Sequence, residues 1–281
     1  MALVNMKKLL YDAEIGNYSV GSFSVANMEM VIGAIKAAEE LKSPIIIQIA
    51  EVRLNHSPLH LIGPLMIEAA KKATVPVAVH FDHGLTLEKI KEALEIGFTS
   101  VMIDGSKLSL DENINLTNKA KELANMYNAS IEAEIGIVGG SEDGSENIKM
   151  IYTDPLEAKK FFEETNVDAL AVAIGNAHGV YKYSPKLNID ILKEIRDKVK
   201  APLVLHGGTG ITEDDFRACT QNGIRKINVA TATFNSVAKK ISGIYKYVEN
   251  NEYFDIHQAE IQGAYENVKK HIKIFGSKNK A

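Results

Sequence analysis

The sequence predicts a (β/α)8 barrel in a single domain, and three observations carry that expectation. The chain has 281 residues, the length of one large α/β domain or of two ordinary ones at roughly 150 residues each. No low-complexity tract, proline-rich linker or long charge block divides it. Short apolar, β-branched runs recur eight times, spaced so that a helix fits between them, the pattern of parallel strands covered by helices. An open doubly wound sheet needs fewer strands and usually a glycine-rich loop after the first, and Phe23-Ser24-Val25-Ala26-Asn27 is no such loop. The domain is expected to span 1–281 and to end in a helical tail.

The expected strands are Ser19–Val25, Pro44–Ala50, Val75–Asp82, Ser100–Asp104, Ser130–Gly136, Ala169–Gly175, Pro202–Gly207 and Lys226–Thr231. They are continuously apolar rather than strictly alternating, as strands buried on both faces should be. Between them, Asn27–Leu41 sets Met28, Val31, Ile32, Ile35 and Ala38 on one helical stripe. Leu87–Ile96 does the same with Ile90, Ala93 and Leu94, and Gly97 follows as a C-cap. Leu116–Tyr127, Pro155–Glu164, Ile189–Val199 and Glu213–Asn222 continue the plan. Asp154-Pro155 and Thr212 supply helix starts, and Gly223 a stop.

Composition narrows the function. The 46% hydrophobic and 24% charged content supports a packed core. A net charge of −4 lacks the basic excess that holds a polyanionic backbone, so no nucleic acid is expected. The 7% aromatic content without tryptophan also argues against a base-stacking platform. No apolar run approaches the roughly 18 residues of a membrane span, and Lys7, Lys8, Asp12 and Glu14 make the start unlike a signal peptide. The lone Cys219 fits a reducing, cytoplasmic setting.

In a barrel the chemistry sits at the C-terminal ends of the strands. His80, His83, His178 and His206 lie at the ends of just three of them, which points to a metal held by three imidazoles with an open fourth position. His83, nearer the rim than His80, is the better ligand, and His80 can support the others. His206-Gly207-Gly208-Thr209-Gly210 and Asn228-Val229-Ala230-Thr231 end strands seven and eight, where barrels often cradle phosphate with backbone N–H groups and a helix N-terminus. Asp82 abuts His83, and Glu142 lies in a loop flanked by Gly136, Gly139, Gly140 and Gly144 that is suited to closing over a substrate. Glu132 and Glu134 share one face of strand five and need a cation, lysine or arginine as partner. A metal beside a phosphate cradle suggests carbonyl polarisation, proton removal by a carboxylate and a metal-held enediolate, as in aldol or isomerase chemistry. A metal-assisted hydrolase is the other reading. Strand six, Asp168–Gly175, has no Schiff-base lysine.

These motifs, in order, resemble the class II, zinc-dependent ketose-bisphosphate aldolases. The resemblance rests on Val77–Gly84, Ser100–Asp104, Glu132–Gly136, Gly139–Gly144, Asn176–Gly179, Leu205–Ile211 and Lys226–Val229, and extends to the tail Ile274–Ser277. It implies that His83, His178 and His206 hold zinc, with Asp104 and Glu134 lining an alternative metal position. It implies that Asp82 exchanges a proton with the C4 hydroxyl and that Glu142 takes the proton from dihydroxyacetone phosphate. Gly179, Gly207 to Thr209 and Asn228 to Thr231 then hold that half of the ketose. A monovalent cation near the phosphate and a homodimer or homotetramer are also implied.

Three positions depart from the fructose-bisphosphate pattern. Ser24 replaces an asparagine, Ala50 a serine that contacts the far phosphate, and His257 an arginine on that same phosphate. Arg53 is the residue expected to compensate. Fructose 1,6-bisphosphate is the expected substrate. Tagatose bisphosphate and 6-phospho-5-dehydro-2-deoxygluconate are alternatives, as is a noncatalytic sugar-phosphate binding protein.

Overall fold

The computed structural model describes residues 2–140, 149–179, 185–244 and 253–281. The strands in chain order are β1 (Val20–Ser24), β2 (Ile45–Ala50), β3 (Val77–Gly84), β4 (Ser100–Ile103) and β5 (Ser130–Ile135). They continue with β6 (Gly139–Gly140), β7 (Ala169–Val172), β8 (Ala177–His178), β9 (Leu203–Leu205) and β10 (Ile224–Val229). Eight of these close a parallel barrel in the order β1-β10-β9-β7-β5-β4-β3-β2. The short β6 and β8 pair with each other above it. The expected fold is the one observed.

Helices cover the barrel: α1 (Met6–Gly16), α2 (Met28–Glu40), α3 (Leu59–Lys72), α4 (Leu87–Ile96) and α5 (Leu110–Met126). They are followed by α6 (Pro155–Thr165), α7 (Ile189–Lys198), α8 (Glu213–Gln221), α9 (Thr231–Ile244) and α10 (Tyr253–Phe275). Among the described residues no helix is long and apolar enough to cross a membrane. The expected caps form. Asp154 accepts the Leu156 and Glu157 N–H groups, Thr212 accepts that of Asp215, and Gly97 ends α4 with φ +110°.

The helices differ from expectation in three ways. Met28 and Ile32 are 47% and 42% exposed, whereas Met30, Ala34 and Ala37 are buried. Packing of α10 along α2 widens the buried arc on the other side. Helix α5 starts at Leu110 rather than Leu116, because Ser109 and Glu112 form a reciprocal capping box over an otherwise polar first turn. The helices α1, α3 and α9 had not been expected, and Pro64 inside α3 disguises that one.

The apolar interior has two parts. The larger lies between strands and helices. The smaller lies inside the barrel, where Met6, Leu9, Leu10 and Ala13 of α1 meet Val20, Ile46, Ala78, Ala169, Ala171 and Val204. These strand residues lie toward the N-terminal ends, so α1 closes that end with oil and leaves the other to polar side chains. Burying each of the larger side chains here (Met, Leu, Val and Ile) contributes roughly 1.5–3 kcal/mol.

Helix α10 docks on the barrel through His271, whose ring lies 6.2, 6.0 and 5.5 Å from those of Phe23, Phe216 and Phe275. Its Nδ1–H donates to the Asn267 carbonyl at 2.8 Å. Burial lowers its pKa from 6.5 to about 4. The folded pKa lies below the unfolded one, so its contribution is complete above pH 6.5 and lost as pH falls toward 4. That loss is of order 3 kcal/mol, at about 1.4 kcal/mol per unit. The expected result is that His271→Leu loses less stability than wild type between neutral pH and about pH 4.5, measured by urea unfolding at each pH. An equal loss in both proteins contradicts the assignment.

Candidate metal centre and active site

Strand alternation lifts one polar residue after another to the inner face. On β3, Val79 and Phe81 point to the outer core while His80 and Asp82 point inward, and His83 follows at the rim. On β5, Ala133 and Ile135 are outside and Glu132 and Glu134 inside. His206 follows β9. His178 is carried by the small β6–β8 pair, where Gly140 has φ +80° and an added Cβ would lie 2.2 Å from the His178 carbonyl. Glycine is therefore required there. His83 itself has φ +44°, a left-handed conformation that non-glycine residues hold only when their surroundings fix it.

The three expected ligands converge. The ring centroids of His83, His178 and His206 lie 4.6 to 5.8 Å apart, and one nitrogen from each falls within 4.8 Å of the others. Two of the three rings are held by carboxylates: His83 Nδ1 lies 2.9 Å from Asp104 Oδ2, and His206 Nε2 lies 2.9 Å from Glu132 Oε1. His83 Nε2 and His206 Nδ1 then face each other at 2.8 Å as two lone pairs. A cation fits between such donors, and carboxylate-oriented imidazoles are the usual form of a histidine metal site. A second set, His83, Asp104 and Glu134, shares one ligand with the first. A third, His80, Asp82 and Glu132, already contains an ammonium group, because Lys226 Nζ lies 2.9 and 3.1 Å from the two Glu132 oxygens.

Electrostatics separates these acids. Burial alone would raise the Glu132 carboxyl, but the Lys226 charge and the His206 hydrogen bond bring it down to about 2. Burial also opposes ionisation of Asp104, yet His83 and Ser106 hold it below the usual range. Glu134 goes the other way, pushed up to about 8 by burial and by the Asp104 charge. Asp82 is buried and still sits well below the ordinary carboxylate value because His83, His80 and Lys226 outweigh desolvation. Gln48 Nε2 donates to its Oδ2 at 2.8 Å and Asn228 Nδ2 to its Oδ1 at 3.0 Å, so the carboxylate is fixed in orientation. His80 supports this group from below: its Nδ1 meets Ser100 Oγ at 2.7 Å, and its Nε2 lies 3.7 Å from Asp82.

Beside the histidines is a narrow recess lined by Gln48, His178, Gly179, Gly207, Gly208, Thr209, Asn228, Ala230 and Thr231. The expected cradle residues are thus together, except that the Val229 side chain points into the outer core. Gly207 has φ +65° and an added Cβ would lie 2.1 Å from the Ala177 carbonyl, while the Gly208 N–H is committed to the Asn228 carbonyl at 3.1 Å. Thr209 Oγ1 accepts the Ala232 N–H at 2.9 Å, tying this loop to the start of α9. Arg53 ends a one-turn 3-10 helix after β2, with its guanidinium 5.5 Å from the Phe234 ring centre. Ala50 is buried, and His257 Nδ1 is bonded to Glu29. Glu142 lies outside the described residues. The base of its loop is described: Ile137 and Ile151 exchange both backbone hydrogen bonds at 2.9 Å.

Comparison with known proteins agrees with this geometry. The family described as fructose-bisphosphate aldolase class-II matches residues 4–280. The chain belongs to the class II fructose-bisphosphate aldolase family. A fructose-bisphosphate aldolase of Staphylococcus aureus is 38% identical over the whole of both chains, and one of Geobacillus stearothermophilus is 42% identical over 82% of each. Among solved structures, the YdjI aldolase of Escherichia coli K12 superposes with a TM-score of 0.90 at 36% identity, over 99% of both chains. Members of this family are metal-dependent lyases acting on phosphorylated sugars.

Three residues of the class II centre escape sequence reading: Gln48, Lys226 and the Asp82-binding amide of Asn228. Lys226 and Asn228 reach their partners across the barrel, and Gln48 reaches Asp82 from the neighbouring strand. The available signal is the run of polar residues, Arg225, Lys226 and Asn228, within the buried strand Ile224–Val229.

A pH effect follows from Glu134. Its folded pKa of about 8 lies above the ordinary 4.5, so the stability it contributes in the metal-free protein is complete below 4.5 and is lost as pH rises through 8. Metal-free wild type should therefore melt lower at about pH 8 than at about pH 5, and Glu134→Gln should flatten that fall. Thermal denaturation with a chelator present checks this, and an unchanged slope in the variant contradicts it.

Proposed function

We propose that this chain is a zinc-dependent aldolase that reversibly cleaves fructose 1,6-bisphosphate to dihydroxyacetone phosphate and glyceraldehyde 3-phosphate. One observation carries the proposal: three histidine nitrogens converge next to an oriented Asp82 carboxylate, beside a recess lined by glycines and threonines. An all-imidazole donor set with carboxylate partners suits zinc. His83, His178 and His206 would hold it, and Asp104 and Glu134 with His83 would form its alternative position. A metal bound there supplies Lewis-acid polarisation of the ketone and counter-charge for the oxyanion that develops.

The chain's own groups do the rest. Gly179, Gly207, Thr209 and Thr231 surround the phosphate of the dihydroxyacetone half, and a monovalent cation beside it belongs to the same reading. In cleavage Asp82 takes the C4 hydroxyl proton and the C4 oxygen becomes the aldehyde carbonyl. The C3–C4 bond breaks, its electron pair passes to C3 and toward the C2 oxygen, and Glu142 returns a proton to C3. In condensation Glu142 removes that proton and Asp82 gives its own to the new C4 alkoxide. A single domain over 1–281, a homodimer or homotetramer and a cytoplasmic setting complete the proposal.

Chelation should abolish cleavage, and zinc or cobalt should restore it. Full activity of metal-free protein, or borohydride trapping of substrate on a lysine, rejects the proposal. Replacing Asp82 or Glu142 should cost about 10²–10⁴ in rate. Glu142→Ala should stop isotope exchange at C3 of dihydroxyacetone phosphate, whereas Asp82→Ala should spare exchange and block condensation. Wild-type exchange in both variants rejects the two roles.

For the far phosphate, Arg53 takes the place of the departed serine and arginine. A charge-assisted hydrogen bond contributes roughly 1.5–3 kcal/mol, so Arg53→Ala should lower kcat/KM for fructose 1,6-bisphosphate by at least about tenfold while sparing fructose 1-phosphate. A wild type that prefers the monophosphate, or an unchanged preference in the variant, rejects compensation by Arg53.

A further inference from the structure

We propose that Lys226 is a positioning residue of the metal centre, acting through Glu132 on His206. The inference rests on the reading of His206 as a metal ligand. Lys226 comes from β10 and Glu132 from β5, with β9 and β7 between them in the barrel wall. Their ion pair therefore runs through the barrel interior, and both side chains are fully buried. Glu132 uses the same oxygen, Oε1, for Lys226 Nζ at 3.1 Å and for His206 Nε2 at 2.9 Å. The chain of contacts ends at His206 Nδ1, the nitrogen that faces His83.

The other rim histidine is oriented by different means. His83 leans on Asp104, whose Oδ1 accepts from the Ser106 hydroxyl at 2.7 Å and the Ser106 N–H at 3.1 Å. Asp104 lies at the partly open rim, 20% exposed, and a short loop is enough to hold it. Glu132 lies a layer deeper, fully buried, where no loop reaches and an isolated carboxylate charge is strongly disfavoured. Lys226 supplies the counter-charge and fixes the carboxylate under the ring. The consequence for His206 is one of orientation: the Glu132 carboxylate accepts from Nε2 and fixes the ring, so Nδ1 is turned toward His83 with its lone pair outward. Lys226 thus acts on metal affinity without touching metal or substrate.

A purely structural strut would alter stability and leave metal binding alone, so the test reads metal binding. Zinc affinity is measured by chelator competition, and the cobalt-substituted proteins are compared by their visible spectra. Lys226→Met and Glu132→Gln should each weaken zinc binding by about 10–100-fold and change the cobalt spectrum. The double variant should be no weaker than the weaker single one, because both act on one ligand. The double variant also removes both charges together and so keeps the experiment informative if either single variant does not fold. Wild-type zinc affinity and an unchanged cobalt spectrum in the folded double variant overturn the proposal. Additive losses in the two singles overturn the route through Glu132. His206→Ala separates this inference from the reading beneath it. If that variant binds zinc like wild type, the ligand assignment fails. If it loses zinc while the double variant does not, only the role of Lys226 fails.

Discussion

Charge balance at the mouth of a dry barrel organises the upper half of this molecule. Asp82, Asp104, Glu132 and Glu134 lie within a few side chains of one another, and three of the four are fully buried. Each finds a different solution. Glu132 takes the Lys226 ammonium, Asp82 two amide N–H donors, and Asp104 a histidine and a serine. Glu134 goes the other way, its pKa pushed up to about 8 by burial and then by the charge of Asp104. A divalent cation among the histidines adds two positive charges next to this group, so metal binding and the protonation of Glu134 are linked.

The barrel makes that arrangement possible by layering its interior. The lowest inward layer is small and apolar, with Ala78, Ala169, Ala171 and Val204 leaving room for α1. Two residues further along, the same faces carry His80, Glu132 and Lys226, and two further still Asp82, Glu134 and Asn228. Polar groups thus stack only where other polar groups can meet them. Because strand side chains alternate, a one-residue slip in β5 would bring Ala133 and Ile135 inward and place both glutamates against the outer core. The apolar partners in that core fix the register on which the catalytic layer depends.

Local pattern made the fold and much of the centre readable. Eight apolar runs with capped helices between them require few assumptions, and His83, His178 and His206 stand at strand ends, where position along the strand translates directly into height in the barrel. Glycines around His206 and His178 mark close backbone approach in the same way. Reading stopped where partners come from across the interior. Nothing near Lys226 in the sequence names Glu132, which lies 94 positions away, and nothing near Asn228 names Asp82, 146 positions away. Helix α1 was missed for a related reason: its apolar face is meaningful only once a barrel end exists for it to fill.

In the proposed reading, the two ends of the substrate are held by groups under unequal constraint. On the dihydroxyacetone side, the walls are backbone, threonine hydroxyls and the ligand histidines, pinned by approaches such as that of Gly207 to the Ala177 carbonyl. Change there displaces the metal ligands. On the other side stand Ala50, the Arg53 turn and the Glu29–His257 pair, none of which takes part in the balance of buried charge around Glu132 and Glu134. His257 spends its Nδ1 on a carboxylate, so it does not replace the charge of an arginine facing a phosphate. Arg53, stacked near Phe234, is the guanidinium that β2 delivers to this rim. In that reading, substitution on that side would alter which aldehyde end is recognised and leave proton transfer at Asp82 untouched, so selectivity in this fold can change while its chemistry stays the same.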